Sequence, residues 1–111
     1  LTDALAATRE ANQWIADQGT DRPNEVIAGA TPYLRMFGQL VGGWLVVRQA
    51  LFAQEKLADG AGGSAADHLA SKIVLARFYA QQLLPVVRAQ LSSVTAGASD
   101  LYAMAADGFA N

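Results

Sequence analysis

The sequence predicts an all-α fold: an antiparallel, up-and-down helical bundle of three long helices plus a short C-terminal helix. Three observations carry that prediction. No stretch alternates apolar and polar residues with the period of two that a half-buried strand requires, and the apolar runs recur at steps of three and four instead. Of the 111 residues, 52% are hydrophobic and only 16% charged, against about 25% charged in an average soluble domain. Much of that excess is alanine, the best helix former and small enough for helices to approach closely. Finally, glycine, proline and short polar clusters fall between the periodic stretches and divide the chain into rods.

The first rod spans Thr2 to Gln18. It is rich in alanine, with Leu5, Trp14 and Ile15 as its larger apolar groups, and Thr2 or Asp3 is placed to cap its start. Gly19 is a stop, and Thr20 to Asn24, containing Pro23, reads as a turn. The second rod runs from about Glu25 to Leu57, with Asn24 as N-cap and a second start or a kink at Thr31–Pro32. Phe37, Leu40, Trp44, Val47 and Leu51 recur on one of its faces. Gly38, Gly42 and Gly43 weaken this helix by about 1 kcal/mol each relative to alanine, which implies that a neighbouring helix comes close there. The stretch DGAGGSAA, residues 59 to 66, is a loop, and Ser64 with Asp67 resembles a capping box.

The third rod carries an apolar seam of Leu69, Ile73, Ala76, Ala80, Leu83, Val87, Leu91 and Val94, and a polar stripe of Arg77, Gln81, Arg88 and Ser92. Val74, Leu75, Phe78 and Val86 widen its apolar side, so more than one neighbour is expected. Pro85 removes a backbone donor and bends the rod near Gln81. Gly97 or Ser99–Asp100 begins the fourth, short segment through Ala106, and residues 108 to 111 are a tail. Residues 1–111 therefore read as a single helical-bundle domain. Because the chain starts in mid-pattern at Leu1, it reads as a fragment of a larger protein.

Composition excludes several kinds of chemistry. A net charge of −2 without a basic stripe argues against nucleic-acid binding. The absence of cysteine removes thiol catalysis, disulfides and thiolate metal sites. The most apolar window, Met36 to Val47, is too short to span a bilayer, which takes about 20 residues. One histidine and three glutamates (Glu10, Glu25 and Glu55) cannot build a di-iron bundle, and no paired carboxylates sit at a spacing suited to acid–base work. No catalytic, cofactor-binding or metal-binding residue is expected.

Two features remain. In KIVLARFYAQQLLP, residues 72 to 85, Arg77 could grip an anion while Tyr79 stacks or donates a hydrogen bond. The plainer reading puts Phe78 in the core, Tyr79 at its boundary and Arg77 in an ion pair. His68, with Lys72 one turn later, suggests a histidine phosphotransfer bundle, although that pattern needs a glycine next to the lysine and Ile73 stands there. The alternative function is thus a free-standing interaction or phosphotransfer-like signalling module.

Three ordered blocks carry a family resemblance. They are Tyr33–Leu34, Phe37–Gly38 and Gly43–Trp44; then Lys72, Ala76 to Ala80 and Leu83 to Pro85; then Ala96 to Ala98 with Leu101. This order, most specific in ARFYA…LLP, resembles the C-terminal domain of the longer bacterial class of acyl-CoA dehydrogenases, from about Asn24 to Phe109. The resemblance implies a parent flavoenzyme in which a glutamate takes the α proton of a fatty acyl-CoA and flavin N5 takes the β hydride, with base and FAD site both upstream of this segment. It implies a cytoplasmic homo-oligomer, with this segment packing on the upstream dehydrogenase core or stabilising the oligomer. Arg77, Tyr79 and Lys72 become possible contacts to acyl-CoA or to another subunit.

Overall fold

The computed structural model describes residues 1–109, so the last two residues of the expected tail lie outside the described residues. The described residues are helical and contain no strand. Five α-helices follow one another: α1 (Thr2–Gly19), α2 (Pro23–Ala28), α3 (Ala30–Ala58), α4 (Gly63–Gln82) and α5 (Leu84–Thr95). Two short 3-10 turns, Ser99–Leu101 and Ala106–Phe109, complete the chain.

Local chemistry explains most of these boundaries. α1 ends at the expected Gly19, and Pro23 opens α2 at its first turn, where a missing N–H costs nothing. The kink expected near Pro32 falls at Gly29, which closes α2 and caps α3, leaving Pro32 in the first turn of α3. The bend at Pro85 is present: α4 stops at Gln82 and α5 starts at Leu84. Gly97, with φ +79, follows α5 in the left-handed conformation that commonly ends a helix.

The caps expected from side chains are not used. Leu1, Arg22 and Gly62 occupy the N-cap positions of α1, α2 and α4, none with a side-chain cap hydrogen bond, so Thr2, Asp3, Asn24 and Ser64 all fall inside helices. In α4 the left-handed Gly63 (φ +63) already begins the helix, one residue before the serine.

Two parts build the architecture. α4 and α5 form one bent rod that runs antiparallel beside α3, and α1 packs mainly on α5 and more lightly on α3. Where α1, α5 and the first half of α3 meet lies the core: Ala4, Ala7 and Ala11 of α1, Met36 of α3, and Leu84, Val87 and Val94 of α5. The Arg88 guanidinium donates to Asp3 Oδ1 at 2.7 Å across the α1–α5 contact, and Tyr33 Oη donates to Asn12 Oδ1 at 2.6 Å across α1–α3. Beyond this core, the second half of α3 and α4 continue as a hairpin arm closed by the loop 59–62. Apart from its junction with α5, α4 has α3 as its one substantial neighbour among the described residues.

That arrangement overturns three expectations about packing. On α3, the stripe Phe37–Leu40–Trp44–Val47–Leu51 does share a face, but Phe37, Trp44 and Leu51 are about half exposed. The buried face is Met36, Gly43 and Ala50, at heptad spacing. Phe78, expected in the core, is 55% exposed, because α4 has no second neighbour to cover it. The seam of the third rod does not run straight through: Ala80 and Leu83 face outward and Leu84 turns inward, because the break at Leu83 shifts the helical register by one residue. The polar stripe of Arg77, Gln81, Arg88 and Ser92 is exposed as expected.

The fourth segment is not an α-helix. Its apolar residues Leu101, Tyr102 and Met104 are all more than half exposed, and a helix this short is marginal without packing. Just before it, the buried Ala98 ties the chain down, its N–H donating to Glu25 Oε2 at 2.8 Å.

The molecule is far more extended than a closed domain of its length. Its radius of gyration is 19.8 Å, against about 13 Å for a compact chain of this length. Its accessible surface is 7470 Å², roughly 1,600 Å² above the value of about 5,900 Å² that its mass predicts for a folded monomer.

Candidate functional site

The arm is built backwards for a free-standing hairpin. Its buried seam residues are small (Ala50, Ala53 and Ala76), whereas many of its bulky side chains, among them Trp44, Leu51, Phe52, Val74 and Phe78, are about half exposed. Small seam residues let α3 and α4 come together closely. Between the helices they leave a shallow groove of about 590 Å³, lined by Leu45, Arg48, Gln49, Phe52 and Ala53 of α3 and by His68, Leu69 and Lys72 of α4. Steps of three and four place each set on one face. The fully buried Ala53 forms its floor, the half-exposed Leu45 and Phe52 and the half-buried Leu69 give it apolar walls, and Arg48, Gln49, His68 and Lys72 are its polar lining residues.

The rim is cationic and unneutralised. The only ion pair among the described residues is Arg88–Asp3, far from the groove on the α1–α5 contact. The Arg48 guanidinium lies 4.9 Å from the centroid of the Trp44 ring, one turn earlier, an arrangement that holds the charge against apolar surface. Lys56 Nζ similarly lies 5.3 Å from the Phe52 ring. Such a groove can seat an apolar body that carries negative charge at its edge. Among the described residues there is no cluster of metal-ligating side chains, and the ionisable groups lining the groove are Arg48, His68 and Lys72, with no carboxylate.

Of the three residues put forward as contacts to acyl-CoA or another subunit, only Lys72 lies in this groove, half-buried at its edge. Arg77 is exposed and makes no ion pair with any described residue. Tyr79 is half-buried and committed to the helix contact: its hydroxyl donates to the Gln39 carbonyl at 2.8 Å. Gly42 makes that reach possible, because a Cβ there would stand 2.6 Å from the Tyr79 hydroxyl. Gly43 likewise admits Leu84 and Tyr79, so two of the three expected close approaches occur. Gly38 is the exception, with nothing within 4 Å of where its Cβ would stand. Tyr79→Phe should cost about 1 kcal/mol, the net worth of one part-buried hydrogen bond. Urea denaturation of the two proteins side by side reads this directly, and an unchanged midpoint would show the bond to be idle.

His68 lies at the groove's edge and is exposed; the Ser71 hydroxyl donates to its backbone carbonyl at 2.6 Å, and its imidazole has no hydrogen-bond partner among the described residues. Sequence reading did not single out Leu45, Arg48, Gln49 or Phe52. A signal was present: besides the Met36–Gly43–Ala50 face and the Phe37–Trp44–Leu51 face, α3 carries Leu45 and Phe52 at heptad spacing, more apolar surface than one buried face needs.

No described helix is long and apolar enough to cross a membrane. Comparison with known proteins places the chain. The family model described as "Acetyl-CoA dehydrogenase C-terminal like" matches residues 1–105. Among curated proteins, the chain is similar to 3-methylmercaptopropionyl-CoA dehydrogenase of Ruegeria pomeroyi, 38% identical over 81 residues that make up 73% of this chain and 13% of that protein. It is also similar to the broad-specificity linear acyl-CoA dehydrogenase FadE5 of Mycobacterium tuberculosis, 33% identical over 89 residues, 78% of this chain and 15% of that protein. The chain thus corresponds to only a small part of the length of these relatives. No solved structure matches it. A helical chain matched over nearly its whole length by one family model, it belongs to the acetyl-CoA dehydrogenase C-terminal-like family.

Proposed function

We propose that this chain is a single accessory domain of a longer, FAD-dependent acyl-CoA dehydrogenase. The parent removes hydrogens across the α–β bond of a fatty acyl-CoA, and this domain acts structurally, packing on the upstream core and stabilising a cytoplasmic homo-oligomer. The observation that carries the reading is the family match over residues 1–105, joined to relatives named as acyl-CoA dehydrogenases that are several times longer than this chain. The surface excess of roughly 1,600 Å² over a closed monomer of this mass supports the structural role.

The domain itself does not fit FAD. A dinucleotide needs free backbone N–H groups for its pyrophosphate, usually at a helix N-terminus. The groove lies along the second half of α3 and the first half of α4, and its lining residues stand beyond the first turn of either helix, where the amides are engaged within the helix. We assign the flavin site and the base that takes the α proton to the upstream chain, and give Glu10, Glu25 and Glu55 no catalytic role. Glu25 already accepts the Ala98 N–H. Lys72, Arg77 and Tyr79 remain our candidates for contact with another subunit or with the CoA end of the substrate. A phosphotransfer role draws no support from His68, whose downstream lysine is followed by Ile73.

The test uses the full-length parent with and without this segment. The intact protein should contain flavin that bleaches on addition of a saturated fatty acyl-CoA. The shortened protein should keep that half-reaction per bound flavin but form a smaller or less stable assembly. A parent without flavin would end the reading. Loss of the half-reaction in a shortened protein that still holds its flavin would assign this domain a direct part in catalysis.

A further inference from the structure

The α3–α4 arm has bulky apolar residues on its outside and a groove whose rim is positive. Leu45 and Phe52 are 46% and 55% exposed, and they lie seven residues apart on one face of α3. Leu75, one turn beyond Lys72 and seven residues beyond His68 on α4, extends the same side and is 45% exposed. A stable layered fold covers such a face with another element. Among the described residues no element does: α1 and α5 are occupied with the core at the other end of α3.

We infer that the groove between α3 and α4 is a docking seat for an apolar helix with acidic flanks, contributed by the polypeptide that precedes this domain in its parent. The inference rests on the reading of the chain as a domain of a longer dehydrogenase, and it names the face that meets the rest of that protein. Three observations select this occupant. The first is supply: the matched relatives hold several times more chain than this domain. Charge is the second. Arg48 and Lys72 stand at the rim with no carboxylate partner among the described residues, so a partner carrying aspartate or glutamate at its edges completes them. The third is area. The exposed surface exceeds that of a closed monomer by roughly 1,600 Å², and permanent interfaces bury about 1,000 Å² or more on each side.

A second copy of this chain is a poorer occupant. Its own exposed arms would bring Arg48 and Lys72 of one copy towards those of the other, and like charges brought together across an interface repel.

The experiment places a photo-crosslinking benzoylphenylalanine at position 52 of the full-length parent and maps the adduct by mass spectrometry, with the same group at Asp59 in the loop as a control. The parent is expressed as a mixture of light and heavy isotopes, so that adducts between copies are recognised. The expected adduct joins position 52 to a helical peptide upstream of residue 1 that contains aspartate or glutamate. The double variant Arg48→Glu/Lys72→Glu should lower its yield at least about tenfold. An adduct to residues 1–111 of a second copy, or a yield at position 52 no higher than at position 59, would overturn the proposal. An upstream adduct whose yield ignores the charge reversal would overturn the assignment of an acidic partner. These readouts do not depend on flavin, so they remain interpretable in a parent that proves not to be a dehydrogenase.

Discussion

Met36→Ala lowers the stability of the chain by about 3–4 kcal/mol, within the range of about 2–5 kcal/mol measured for truncating a buried methionine or leucine. The size follows from what surrounds Met36. It is fully buried, and the fully buried apolar residues of α1 in the same core are the small Ala4, Ala7 and Ala11. Methionine, long and flexible, fills the space those alanines leave, beside Leu84 of α5. When it is cut back, alanines cannot swing in to close the cavity, and Val87 and Val94 of α5 are stiff at χ1. Relaxation is poor and the loss is large. A chain of this length loses roughly 4 °C in Tm for each kcal/mol, so the midpoint should fall by about 15 °C with the urea m-value unchanged. Leu34→Ala, at a side chain that is 72% exposed, is the control and should move stability by less than about 0.5 kcal/mol. Equal losses from the two variants would mean that the core does not lie among α1, α3 and α5.

Much of this architecture was legible in the sequence, and the reasons differ between elements. Helix existence was legible because period and breakers act locally: Gly19, the glycines of the 59–62 loop and Pro85 each mark an end that the structure keeps. The choice of buried face was not legible. α3 is apolar on more than half of its circumference, and the rule that large apolar residues go inside picks Phe37, Trp44 and Leu51. The structure picks Met36, Gly43 and Ala50 because tight approach of α5 and α4 favours small residues at the seam. The C-terminal segment failed for a related reason, since LYAMAA has the composition of a helix but no surface of this chain covers it. At the groove, the one-turn spacing of His68 and Lys72 was noticed but pointed to a different chemistry, Lys72 became a contact candidate through family resemblance, and Arg48, which lies against Trp44, was not singled out. A partner outside the sequence decides what such a groove is for, and no periodicity within the chain can encode the partner.

Two glycine-to-alanine changes on either side of the start of α3 should have opposite signs. Gly29 is buried between α2 and α3, and a Cβ built on it would stand 2.5 Å from the carbonyl oxygen of Val94 and 3.1 Å from that residue's Cα. The obstacle is backbone, so no rotamer change relieves it. Val94 itself is 1% exposed and belongs to the core, so α5 cannot retreat without opening the contact with α1. The φ of Gly29 is −95°, which any residue adopts, and the requirement for glycine is therefore one of space alone. Gly29→Ala should cost about 3 kcal/mol, at the upper end for an overpacked site, and lower the Tm by about 10 °C. Gly38 sits nine residues further on, inside the same helix, with open space where its Cβ would be. There alanine only removes the helix penalty of glycine and should raise stability by about 1 kcal/mol. Measured in one series of thermal melts, the two variants must fall on opposite sides of the parent sequence. If Gly29→Ala melts at or above it, α5 does not pass against the α2–α3 junction, and the antiparallel register of α5 on α3 has to be redrawn.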